Sequence, residues 1–416
     1  MKWNDHYLRS RVPRRRPVLR LALSVLLAGA ACKPNQEPAT SQLTGWLLLQ
    51  GTEALHQHDF RTALAIADSA LKQAPDGSDK ANAYFFHARV LSEVGRFDEA
   101  DADYHKVLEQ APDYRGVWNN LGNNTYRQQA YHRAIVYYQT EIAAHPAPIP
   151  LRGMGRAYVE LGLVDSARYA FMQAIALDSL YAPAYFNLAL LHEDEGHGEE
   201  ALRNAQKALS LDVGNLNYQY LAGSYMVRMG QSEAARDYLQ AVVEARPWHP
   251  GALYNLGQAL VHLGHRDEAQ KYLDQAEVVR AQQAKIDHLE NTVRALPDDP
   301  LSQAILGFAL RLVGRYDDSM HAYQIALHLD PSNVEILNNT ASLCLIRGDT
   351  TLAISYFRTI LQLQPAFVGA WLNLGSVYAM LNEPEAARQA WQMALKYEPD
   401  HPIAKAYLAK ISGRRQ

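Results

Sequence analysis

A chain of 416 residues, 48% of them hydrophobic, exceeds one ordinary core and is too apolar for bulk disorder, so it reads as several domains or a repeat array. The formal charge of −4 hides an asymmetry: the first 31 residues hold seven of the 40 Lys and Arg and one of the 44 Asp and Glu, leaving 33 basic against 43 acidic residues beyond them. An acidic body without a basic block argues against a nucleic-acid partner, and two cysteines, Cys32 and Cys344, leave no disulfide framework.

In chain order, Arg9, Arg11, Arg14, Arg15, Arg16 and Arg20 precede the apolar run LALSVLLAGAA, the form of a secretory signal over residues 1–31. Eleven apolar residues fall short of the roughly 20 that span a bilayer. The run ends in GAAC, which resembles a bacterial lipobox. That resemblance implies cleavage before Cys32 and a diacylglycerol on its thiol, although Gly29 stands where the motif prefers Leu. Ordinary cleavage after Ala28–Ala30 is the alternative. Lys33 stands where an Asp signals inner-membrane retention in some bacteria, so the outer membrane is expected. Residues 32–43, polar and carrying Pro34 and Pro38, read as a lipidated tether.

One unit then recurs ten times. Ala63, Ala100, Ala134, Ala167, Ala201, Ala235, Ala269, Ser319, Ala353 and Ala387 lie mostly 33 or 34 residues apart, with one gap of 37 and one of 50. A small residue precedes each by twelve positions (Gly122 and Gly375 among them), a Gly such as Gly95 or Gly314 often falls between, and a Pro often follows twelve later. This is a helical hairpin per unit: small residues let the helices approach, Gly ends the first and Pro closes the unit. A single hairpin cannot bury its own face, so neighbours must stack. Trp118, Leu121, Gly122, Ala134, Tyr138 and Pro146, and again Trp371, Leu374, Gly375, Tyr378, Ala387 and Pro399, closely resemble the tetratricopeptide repeat (TPR).

The resemblance implies an all-α, right-handed superhelical solenoid of about ten antiparallel helix pairs. Seven repeats are expected over 44–283 and three over 300–401, with a capping helix and tail over 402–416. Residues 284–299 carry Ile286, Leu289, Val293 and Leu296 on one helical stripe with Val279; they read as an insertion packed on itself or as a junction between two repeat blocks.

In this family the first helix of each pair lines the concave side. The resemblance places the wall one and two residues before the repeat's Leu, two after it, and at the following turn. In the third unit these are Asn119, Asn120, Asn123, Tyr126 and Arg127; elsewhere they are Phe85, Arg89, Arg152, Arg156, Phe186, Tyr220 and Tyr254. The amide of Asn120 recurs as Asn187, Asn255, Asn339 and Asn373. Each Asn offers a donor and an acceptor, so an amide ladder can hold an extended peptide by its backbone, as the family's peptide-binding arms do. The other reading is that each Asn bonds a backbone group of its own hairpin. Arginines suit a carboxylate and the aromatics supply contact area, or a surface for glycan. The lysines of the family's chaperone-tail clamp are absent. Later wall positions are apolar: Phe308, Leu312, Leu345, Ile346, Leu372 and Met380.

Other chemistry finds little support. In HEDEGH, residues 192–197, the five-residue spacing and the helix-ending Gly196 are expected to keep the His192 and His197 rings off a common helical face, so the stretch reads as the charged end of a first helix. His56 and His58 are expected to frame a turn, and Cys344 to be buried. The expectation is a non-enzymatic, lipid-anchored envelope scaffold with protein partners and no metal or cofactor. A glycan-binding module is the alternative.

Overall fold

The computed structural model describes residues 40–56 and 59–412, and among them 21 helices follow one another with no strand. The signal segment, Cys32, most of the tether and His58 lie outside the described residues. The first helix of unit 1 runs Thr40–His56 and so begins four residues before the expected boundary at 44. With Thr40–His56 as its first member, the array comprises ten helix pairs, the last being Val368–Met380 with Pro384–Tyr397, and the helix Pro402–Ser412 closes it. The closing helix lays the Tyr407 ring 4.9 Å from that of Trp391 and buries Ala404 against the last pair.

The turn chemistry is regular. Gly95, Gly162, Gly196, Gly230, Gly264, Gly314 and Gly348 all have φ between 71° and 85°, the left-handed cap that lets a helix end sharply. Units 3 and 10 lack that glycine, and Gln129 and Asn382 adopt φ 62° in its place. Close approach explains the small residue of the first helix. A Cβ on Gly122 would lie 2.6 Å from the ring of Tyr138, which is fully buried between units 3 and 4. Tyr104, Phe171, Tyr323 and Phe357 hold the same register and are equally buried. Each such ring contributes roughly 2–3 kcal/mol of transfer free energy.

Two features depart from simple stacking. The second helix of unit 7 runs unbroken over Arg266–Ala295, 30 residues and therefore about 45 Å. Its stripe does not pack on itself: Ile286, Leu289 and Val293 pack against Leu306, Leu310 and Ala322 of unit 8, while Leu296 is exposed. The extension thus packs onto unit 8 through an apolar cluster of its own.

The chain also closes on itself. Unit 8's second helix, Tyr316–Leu329, packs against unit 1's second helix, Phe60–Gln73. Ile325 joins the cluster of Ala54, Leu55, Phe60 and Ala63, with Leu329 beside it. The ring of His321 meets Phe60 edge-on at 5.3 Å, and Arg96 Nη1 lies 3.3 Å from His328 Nε2. Of the other buried residues of that unit-8 helix, Met320, Tyr323, Ala326 and Leu327 belong to the core it shares with unit 9, and Ala322 to the cluster with Ile286.

Candidate functional site

First helices of neighbouring units touch more closely than second helices do, so the array curves with its first helices inside. The inner wall is richest in polar groups at unit 3, whose first helix is Val117–Arg127. The buried carboxylate of Glu141 fixes the start of that helix, accepting from the backbone N–H of Gly116 at 2.8 Å and of Asn119 at 3.4 Å. A helix start leaves N–H groups without carbonyl partners and carries a positive dipole end, which makes it a favourable place for a carboxylate.

The asparagines divide by partner. Asn120 and Asn187 each donate to the carbonyl four residues back, Gly116 at 2.7 Å and Pro183 at 2.6 Å, so the hairpin reading holds for both. Asn255 donates to Ser224 Oγ at 2.7 Å in the preceding unit, and Asn123 accepts from Tyr138 Oη at 2.8 Å. Asn124 is buried and donates to Asp101, which makes it structural. The side chains of Asn119, Asn339 and Asn373 have no hydrogen-bond partner among the described residues. In the bonded amides one N–H is used while the carbonyl oxygen of Asn120, Asn187 and Asn255 stays uncommitted.

The cations divide in the same way. Arg156 lies over the Tyr126 ring, 4.6 Å from its centre, and donates to its hydroxyl at 3.2 Å; that hydroxyl donates to Glu160. Arg127 donates to the Ser92 carbonyl at 2.7 Å and covers Phe97. Arg89 and Arg152, both half-buried, have no acceptor among the described residues. Arg152 lies close enough to Tyr138 and Tyr218 to act on their hydroxyls, and Arg89 acts likewise on Tyr104 and Tyr114. These two guanidinium groups, near tyrosine hydroxyls and without a counter-anion among the described residues, are the uncommitted cations of the predicted wall.

The wall's aromatics mostly engage one another. Phe85 leans on Tyr114 at 5.0 Å, Phe186 on Tyr218 at 5.3 Å and Tyr220 on His249 at 4.3 Å, all tilted. Tyr254 is exposed, with Arg280 over its ring. Further along, Phe308, Leu312, Ile346 and Met380 are exposed, whereas Leu345 and Leu372 pack into the core. Leu301 and Ile305 extend the exposed apolar stretch. Sequence reasoning passed over both, although Ile305 occupies the register of the recurrent Asn.

HEDEGH falls as expected at the end of a first helix, Ala182–Asp194, so His192 and His197 do not share a helical face. Gly196, at φ 79°, turns the chain so tightly that the His192 and His197 rings lie 6.0 Å apart with Glu195 between them. The spacing rule assumed one continuous helix, and the turn supplies a different geometry. Cys344 is fully buried, and burial pushes its thiol up to about 12.

The helix pairs and their inner wall define a tetratricopeptide-repeat array. Residues 309–367 and 345–411 match tetratricopeptide repeat models. Residues 48–296 match the family described as the cilia and flagella-associated protein 70 C-terminal domain, and the chain belongs to that family. It is 22% identical over 274 residues to the TPR repeat-containing protein YpiA of Bacillus subtilis (strain 168), 65% of this chain and 61% of that protein. It is 24% identical over 214 residues to the BBSome complex member bbs-4 of Caenorhabditis elegans, 51% of this chain and 44% of that protein. The chain therefore spans about half to three fifths of these relatives. Among solved structures, PilW, a type IV pilus biogenesis factor, aligns with 53% of this chain and 99% of its own at 20% identity and a TM-score of 0.43. A MamA protein aligns with 41% and 93% at 24% identity and a TM-score of 0.35.

Proposed function

We propose that the protein is a non-enzymatic scaffold whose inner wall takes an extended, acidic segment of a partner protein. The observation that carries this reading is the pair of guanidinium groups, Arg89 and Arg152, without counter-anions on a wall whose amides keep open acceptors. A carboxylate would satisfy either arginine bidentately, and the open amide groups would bond the peptide backbone between them. Leu301, Ile305, Phe308 and Leu312 would then hold apolar residues of the same partner further along. Glycan recognition has less support, because Phe85, Phe186 and Tyr220 tilt into neighbouring rings and offer no faces in register.

The sequence of residues 1–32 supports an export route and a lipid on Cys32, which would confine the scaffold to the cell envelope, at the outer membrane, during assembly of an envelope, pilus or secretion complex. A photo-crosslinking residue at Asn119 tests the wall: it should yield a discrete adduct with an envelope protein, and the same group at the exposed Lys271 should not. Equal labelling at both positions would refute the wall. Palmitate labelling that persists after Cys32→Ala would refute the anchor.

A further inference from the structure

The turn of unit 5 carries a second cluster, away from the inner-wall register. Its first helix is Ala182–Asp194 and its second Gly198–Leu211, with Glu195, Gly196 and His197 between them. Glu195 Oε2 lies 3.7 Å from His192 Nδ1 and 3.8 Å from His197 Nδ1, and the three donor atoms all fall within 4.8 Å of one another. These separations are too long for hydrogen bonds. Both His192 Nδ1 and Glu195 Oε2 are shut off from solvent and have no hydrogen-bond partner. A buried polar atom left unsatisfied costs about 1–3 kcal/mol, so two facing each other call for an explanation.

We infer that His192, Glu195 and His197 form a binding site for a divalent cation of the zinc type. Two imidazole nitrogens and one carboxylate oxygen are a donor set that Zn²⁺ takes, with bonds of about 2.0–2.2 Å and a fourth position open to water. Tetrahedral bonds of that length put donors roughly 3.4 Å apart, so each carboxylate–imidazole separation needs to close by only a few tenths of an ångström and the two imidazoles by about 1.4 Å at most. Arg168 positions the carboxylate. It pairs with Glu195 Oε1 and with Asp165, turning Oε2 inward toward the two imidazoles. That guanidinium opposes a cation, and its sharing with Asp165 moderates the opposition. His197, with 59% of its side chain exposed, leaves the open position facing solvent.

The test is calorimetric titration of the metal-stripped full chain with Zn²⁺ alone. Sixteen histidines give a weak background, so His192→Ala/His197→Ala sets the baseline. The wild type should show one extra equivalent above it. Glu195→Gln, which keeps an oxygen for Arg168, should weaken that site at least tenfold, and His288→Ala, at an exposed His, should leave it intact. One equivalent of Zn²⁺ should also raise the melting temperature of the wild type and not of the double variant. A wild-type isotherm identical to the double variant's, or a site unaffected by both His192→Ala and Glu195→Gln, would overturn the assignment.

Discussion

Replacing Ile325 by Asp should open the closure between units 8 and 1 while leaving the repeats folded. Ile325 is 9% exposed and belongs to an apolar cluster of units 1 and 2, whereas Tyr323 and Ala326 face the unit 8–9 core. Burying an isoleucine contributes about 1.5–3 kcal/mol, and the edge-on contact of His321 with Phe60 about 0.5–1.5 kcal/mol more. Closure therefore rests on a few kcal/mol. An unpaired carboxylate in that contact costs several, which is enough to reverse the balance. Small-angle scattering should report a larger radius of gyration, and circular dichroism an unchanged helix content. Unchanged scattering would mean that the contact contributes nothing. A collapse of helicity would mean that Ile325 belongs to its own unit's core, and either result would refute the reasoning.

Further predictions concern the turns and the closure. Gly122→Ala drives a methyl into Tyr138, held by Asn123 and by Gly153 on its other side, and should cost about 1–3 kcal/mol in urea unfolding. Gln129→Gly relieves a side chain at φ 62° and should stabilise by about 0.5–1 kcal/mol in the same assay. Burial, and then the Arg96 charge, hold His328 below its ordinary value against the weaker pull of Glu99. The closed state thus keeps this imidazole neutral, and an opened state takes up the proton first. His328's contribution to closure should be complete above about pH 6.5 and erode as pH falls below it. Scattering at pH 7.5 and 5.5 checks the sign, and His328→Gln should flatten the difference.

The repeats were legible because their cause is local. Small residues at a fixed register admit a ring such as Tyr138, and glycines at the left-handed cap mark the turns. Where the glycine was missing, Gln129 and Asn382 took the same conformation, so the period mattered more than the residue. Long-range contacts left no such trace. Ile325 and Leu329 lie on a face that simple stacking leaves to solvent, and only the path of the intervening repeats brings Phe60 to them. The partners of the wall residues were equally hidden. Asn120 and Asn119 are adjacent in sequence, yet one is committed to Gly116 and the other is unpartnered. In HEDEGH the helix end at Gly196 was legible, but not that the turn brings the His192 and His197 rings within 6.0 Å of each other.

The central claim, an inner wall that grips acidic extended peptide, is tested most directly by selecting random dodecamers on the full chain. The affinity of the best one is then measured against Arg89→Ala, Arg152→Ala and, on a second helix, Lys271→Ala. A charge-assisted hydrogen bond contributes about 1.5–3 kcal/mol, so each arginine variant should bind roughly 10–100-fold more weakly, with Lys271→Ala unchanged. The selected peptides should carry Asp, Glu or a free C-terminal carboxylate. Peptides without acidic groups, or affinities indifferent to Arg89 and Arg152, would contradict the account.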